Sequence, residues 1–238
     1  MRSFEVDHAG HPAIGYLIGS RTSTGLKEEY KRLDGESLRD LVKSGVVIQS
    51  DPIETIEVAY TGDTCARGLV RQPVDMNERN MASDYVESAK KLSDLYKQQL
   101  FRAEVILCEL TFLDSSEDSA RKSLAEKRGH IHICDVEQIF VCTEQSIDDA
   151  EGQAKTISII SNPKYIVFYH LSGRYTPATR ALDCIAEGLP RQYRNRCQIA
   201  INSMLSQEEK TKDAVGKLVQ PNGCISLAAY LAWRDRPK

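Results

Sequence analysis

No apolar run in this 238-residue chain is long enough to cross a bilayer. No signal peptide precedes its first motif, so an intracellular setting is expected, cytoplasmic or nuclear, with an organelle left open. No Cys-x-x-Cys pair occurs among the seven cysteines (Cys65, Cys108, Cys134, Cys142, Cys184, Cys197, Cys224). The odd count and the spacing argue for reduced thiols, against a disulfide frame and against a zinc finger. Basic charge is not in excess either. The net charge is −3, so a nucleic-acid partner has to be met by a local basic patch. Repeats and low-complexity tracts are absent. What remains is a chain with a 41% hydrophobic share, too high for disorder and ordinary for a globular protein.

Strand-like and helix-like segments alternate. Phe4–Val6, Ile14–Ile18, "TIEVAY", "EVILC", "KYIVFY" and "CQIAINSM" read as strands. "GESLRDLVKSG" reads as a helix with Leu38, Leu41 and Val42 on one face and Gly45 as its stop. Val86, Ala89, Leu92, Tyr96 and Leu100 recur at helical spacing within residues 77–102. "SSEDSARKSLAEKR" is a helix stopped by Gly129, "DVEQIFVC" a helix with Asp135 as N-cap, and "ATRALDCIAEGL" another. The tail after Glu208 is polar except for "CISLAAYLAW". This alternation implies α/β layering.

The residues suited to chemistry fall at strand ends, where α/β proteins place their sites: Asp63, Glu109 and His170. His8 follows a strand, Asp63 sits in a glycine-containing turn, and His170 ends a hydrophobic and aromatic run. Neutral imidazoles and a bridging carboxylate are what two-metal phosphodiester chemistry needs. Singly, each has a plainer reading. A histidine near a strand end is usually a surface or satisfied core residue, and Gly-Asp-Thr is usually a turn. "KRGHIHICDV" adds two of the five histidines, His130 and His132, on one face of extended chain.

The order of segments carries more than any one of them. "FEVDHAGHPAIGY", "KEEYKRLDGESLRDLVKSGV", "VAYTGDT", "CELTFLD", "GHIH" and "YHLSGRYT" together resemble the C-terminal half of ribonuclease Z, closest to its short plant form. This is the tRNA 3′-processing endoribonuclease family of the metallo-β-lactamase superfamily. The likeness runs from about Arg2 to Tyr175, with an apparent insertion at about 66–100. It implies a four-layer αββα fold lacking its N-terminal half, spanning residues 1–207, and an extension of unknown role at 208–238.

By that resemblance His8, Asp63 and His170 are zinc ligands, with Asp63 bridging two ions and His11 a weaker rival for the place of His8. Glu109 and His130 resemble a catalytic pair, in which a carboxylate fixes the imidazole tautomer and raises its basicity. Thr64, Thr111, His132, Ser172 and Arg174 are expected to support the site, and Lys27, Lys31 and Arg32 to meet phosphates of precursor tRNA. The three cations read equally well as a solvated charged face. Cys108-Glu109-Leu110-Thr111 stands where the family often has His-Glu-Ala-Thr, so the leading histidine is lost.

The family's His-x-His-x-Asp-His motif is missing. The only His-x-His is His130-Ile131-His132, followed by Cys134 and Asp135 where Asp and His are needed. One zinc then keeps His8 and Asp63, the other Asp63 and His170, against the three protein ligands usual for a catalytic zinc. A half-domain also exposes the inner face of its sheet, which calls for a partner. The expectations are a zinc phosphodiesterase completed by a missing N-terminal half, a partner chain or a homodimer; a non-catalytic RNA- or protein-binding half-domain; or the same fold with another phosphodiester substrate.

Overall fold

The computed structural model describes residues 1–69, 92–93, 95–97, 99–114, 119–140, 144–148, 154–158, 163–201, 204–205 and 215–236. Strands β1 (Arg2–His8) and β2 (His11–Thr22) form a hairpin in which His8 faces His11. Its two turn residues, Ala9 and Gly10, have φ of 53° and 80°. Positive φ at both central positions matches the turn to the twist of the strands. The Gly10 N–H donates to Asp7 Oδ1, which fixes the turn.

β2 pairs antiparallel with β3 (Ile53–Tyr60), and β3, β4 (Val105–Glu109), β7 (Tyr165–Tyr169) and β8 (Cys197–Ala200) follow in parallel. β9 (Cys224–Ser226) closes the row antiparallel to β8, giving a seven-stranded mixed sheet in the order β1-β2-β3-β4-β7-β8-β9. The other described sheet is a hairpin of β5 (Glu144–Asp148) and β6 (Ala154–Ser158).

One side of the large sheet holds the core. Phe4, Val6, Leu17, Ala59, Ile106, Cys108, Ile166, Phe168 and Ile199 share that face by register and are sealed from solvent. Helix α5 (Ala178–Gly188) packs into the same cluster through Ala178, Ala181, Leu182, Ile185 and Ala186, an i, i+3, i+4 stripe. Helices α2 (Ala66–Leu69), α3 (Ser119–Lys127), α4 (Val136–Phe140) and α6 (Arg191–Arg194) contribute Leu69, Ala125, Ile139, Phe140 and Tyr193 to the buried set.

The opposite face carries Ile14, Tyr16 and Ile18 on β2, Val58 and Tyr60 on β3, Val105 and Leu107 on β4, and Tyr165, Val167 and Tyr169 on β7. None belongs to the hydrophobic core cluster, and Ile14, Ile18 and Tyr165 are among the most exposed large apolar side chains. Parallel strands ordinarily bury both faces. The architecture is therefore α/β, with one side of a mixed sheet left open among the described residues.

Several expectations change. The helix expected after Asp135 starts at Val136, but Asp135 ends a 3-10 turn and is not the cap. His132 caps a 3-10 turn, Ile133–Asp135, by accepting from the Cys134 N–H, and α4 follows directly. Residues 208–238, expected only as an extension of unknown role, are part of the fold: β9 extends the main sheet and α7 (Leu227–Arg234) buries Leu227 and Tyr230. Tyr230 donates to Asp183 Oδ1 of α5 at 2.7 Å. Helix α1 (Gly35–Lys43), capped by Asp34, forms as expected, but none of its residues is buried. Of the helix expected within 77–102, Val86 and Ala89 lie outside the described residues; 95–97 are helical and Leu100 is buried. No described helix is long and apolar enough to cross a membrane.

Candidate metal and acid–base site

β1, β3, β4 and β7 all run in one direction, so their C-terminal ends meet along one edge of the sheet. His8 ends β1, Asp63 follows β3 through Thr61-Gly62, Glu109 ends β4, and His170 follows β7. His130 arrives from the loop after α3, where Gly129 holds φ +78°. A Cβ on Gly129 would lie 2.4 Å from His8 Nδ1 and 2.5 Å from the Ala9 nitrogen, so only glycine brings the two loops this close. The Asp63 turn has the same need: Gly62 is at φ +67°, and a Cβ there would lie 2.6 Å from the Ile14 oxygen.

Glu109 is the hub. Its side chain is 0% exposed, although by register it belongs to the open face of the sheet. The Ile131 N–H donates to Oε1. Oε2 lies 2.8 Å from the Thr111 hydroxyl, 3.2 Å from His130 Nδ1 and 3.5 Å from His170 Nδ1. Burial opposes its charge, but these bonds prevail and hold its carboxyl below the usual glutamate range.

His170 is built differently. It is the one non-glycine residue besides Ala9 at positive φ among the described residues, at 62°. Such backbone persists where its surroundings over-determine it. Here Thr111 Oγ1 lies 3.0 Å from the His170 carbonyl oxygen and 3.3 Å from its Nδ1. Asp63 Oδ1 is 3.4 Å from the same nitrogen, and the two side chains are 44% and 43% exposed. The bond to Glu109, against burial and with help from the charge of Asp63, raises the His170 pKa above the usual histidine value.

One donor atom each from Glu109, His130 and His170 lies within 4.8 Å of the other two, and this cluster can hold a metal ion. Two imidazoles and a carboxylate match the three-ligand pattern of a catalytic zinc. The donors are not equal, however. Both oxygens of Glu109 are already taken by protein donors, whereas Asp63 has one contact and faces solvent. Asp63 and His170 therefore form the open side, and Glu109 with His130 the anchored side.

His8 completes the group at its margin. Its ring is 5.0 Å from that of His130, which in turn is 5.1 Å from that of His170. His8 Nδ1 is buried and has no hydrogen-bond partner among the described residues. A buried polar atom in that position needs an explanation, and a ligand is one. The hairpin that carries His8 is pinned by the Cys65 N–H and the Thr64 hydroxyl, both donating to the Asp7 oxygen, and by Arg67 on Asp7 Oδ2 at 2.7 Å.

The remaining expected residues divide. Thr64 and Thr111 lie in the scaffold just described, and Ser172 caps the 3-10 turn Gly173–Tyr175. His132 is fully buried and serves as an N-cap. His11 is exposed across the hairpin from His8. Lys27, Lys31 and Arg32 follow the end of β2 that pairs with Ile53, at the start of β3. Lys31 pairs with Glu28 at 2.5 Å.

Sequence reasoning missed the Ile131 N–H, which only the pairing of distant loops reveals, and the Tyr169 hydroxyl, which donates to the Gly62 oxygen at 2.8 Å and steadies the Asp63 turn. Compared with protein-family models and with curated proteins, the chain matches none.

Proposed function

We propose that the chain is the acid–base and partial metal-binding half of a zinc-dependent phosphodiesterase of the ribonuclease Z kind, acting on precursor tRNA. One observation carries this reading: Asp63, Glu109, His130 and His170, four residues far apart in sequence, converge at one edge of the sheet with His8 beside them. A bound zinc supplies Lewis acidity and lowers the pKa of a water.

The chain's own residues then have separate tasks. Asp63 and His170 offer the exposed donors, and His8 stands at the margin. Glu109 accepts from His130 Nδ1–H, and in the doubly protonated ring Nε2–H gives its proton to the departing oxygen, leaving the neutral Nδ1–H tautomer. Thr111 ties the Glu109 carboxylate to the backbone of His170, so the acid–base pair and the metal side keep a fixed spacing. Lys27, Lys31 and Arg32, at the far end of β3, would reach a more distant part of a large RNA.

The open face favours a qualification. It is apolar at its centre and polar at its edges, where Ser3, Glu5 and Asp7 of β1 and Gln198 and Ser226 of β8 and β9 lie. That is the anatomy of an interface. Glu109 and Tyr169 share its parity, so a layer that covers the face also reaches the site. A partner layer would thus supply both cover and the ligands this chain lacks. Without it the chain is a binding module.

The test uses the complex purified by tag from the chain's own cells. It should remove the 3′ trailer from precursor tRNA in a zinc-dependent way. His130→Ala should slow cleavage by about 100-fold or more. A zinc-loaded complex that leaves the precursor intact, or a fully active His130→Ala, overturns the reading.

A further inference from the structure

One cation close to the cluster has no task in the mechanism above. Arg174 lies four residues beyond His170, in the turn Gly173–Tyr175. Its guanidinium carbon sits 4.7 Å from the centre of the Phe112 ring, and that ring is 6.4 Å from the His130 ring. The guanidinium and the proposed acid thus have the Phe112 ring as a common neighbour. Nε donates to Ser172 Oγ at 3.3 Å, which fixes the plane of the group. Asp114 Oδ2 is 3.9 Å from Nη1, beyond hydrogen-bond distance, and already accepts from the Tyr175 hydroxyl at 2.7 Å. The Arg174 side chain is 31% exposed.

An arginine placed only to hold the fold would clasp Asp114 in a two-pronged pair. This one is stacked and oriented, yet its outer N–H groups have no hydrogen-bond acceptor among the described residues. A planar fork held in that state is suited to a phosphate oxygen pair. We infer that Arg174 binds the phosphate adjacent to the one at the cluster, so that the site takes a chain of phosphodiesters and not a lone one. The inference rests on the phosphodiesterase reading and assigns the contact with the neighbouring phosphate to one residue.

The test is binding of a fluorescent five-nucleotide single-stranded RNA to the full chain, by anisotropy, between 50 and 200 mM salt. Arg174→Met keeps the stem over Phe112 and removes the charge. It should weaken binding about 10-fold and reduce the salt slope by roughly 0.7, the loss of one phosphate contact to a single strand. Arg174→Lys should keep the slope and lose part of the affinity, because the charge remains and the fork does not. Wild-type affinity and slope in Arg174→Met overturn the inference, as does a wild-type chain that binds no RNA. Zinc content, measured on the same samples, judges the phosphodiesterase reading separately. Zinc bound with an unaltered RNA slope removes Arg174 alone, and an Arg174-dependent slope without zinc removes the metal chemistry and leaves the phosphate contact standing.

Discussion

Leu17 and Ile18 are neighbours on β2, yet Leu17 is 1% exposed and Ile18 is 45% exposed. They stand for the two faces of the seven-stranded sheet. The helix-covered face has the packing of a finished core. The other carries nearly as many apolar side chains and keeps them half open. The difference teaches where this chain is self-sufficient. Its stability comes from one face, while its proposed chemistry stands at the edge of the other. Glu109 is the exception that joins them, since it belongs to the open side by register and is wholly buried by the loops of Thr111, His130 and Ile131.

Paired truncations separate the two faces most directly. Leu17→Ala should lower unfolding free energy by about 2–5 kcal/mol. Ile18→Ala, one residue away, should change it by no more than about 0.5 kcal/mol, as for an exposed site. Urea denaturation of the two measures the contrast, and equal losses would mean that the second face is covered.

Glu109→Gln should come next, at about 2–3 kcal/mol, because it leaves a buried site with mismatched donors. Its thermal midpoint should fall even though the substitution is nearly isosteric. Gly129→Ala should destabilise by about 2 kcal/mol, since the added carbon meets His8 and Ala9 and the backbone stays at positive φ. That loss tests whether the hairpin and the His130 loop are locked together, and it is read from the same melting curves.

The smallest effect is one of pH. The depressed Glu109 stabilises the metal-free fold above its ordinary value of 4.5, and this is lost as pH falls through its folded pKa. The raised His170 stabilises it below 6.5, and this is lost as pH rises through its folded pKa. Metal-free melting temperature should therefore have its plateau between those values. In Glu109→Gln both flanks should flatten, because the same carboxylate sets both shifts.

Much of this was legible in residue type and order. "TIEVAY" and "KYIVFY" have the β-branched and aromatic content of buried strands, and they form within β3 and β7. Asp63, Glu109 and His170 could be placed at strand ends because polar groups directly follow apolar runs. Features set by long-range pairing were not legible. The β5–β6 hairpin is short and largely polar, so no periodicity announces it. "CISLAAYLAW" is plainly apolar, but nothing local says that it splits into β9 and α7 against α5. That the end of β2 leading to Lys27, Lys31 and Arg32 pairs with the start of β3 follows from their antiparallel register, which the order of motifs along the chain does not contain.

Equilibrium dialysis of the tag-purified complex against buffered zinc, with metal counted per chain, is the most direct measurement. The account predicts that the wild type retains zinc and that Asp63→Asn and His170→Ala each weaken retention by at least about 10-fold. Equal zinc binding by the wild type and the Asp63→Asn/His170→Ala double variant would contradict it.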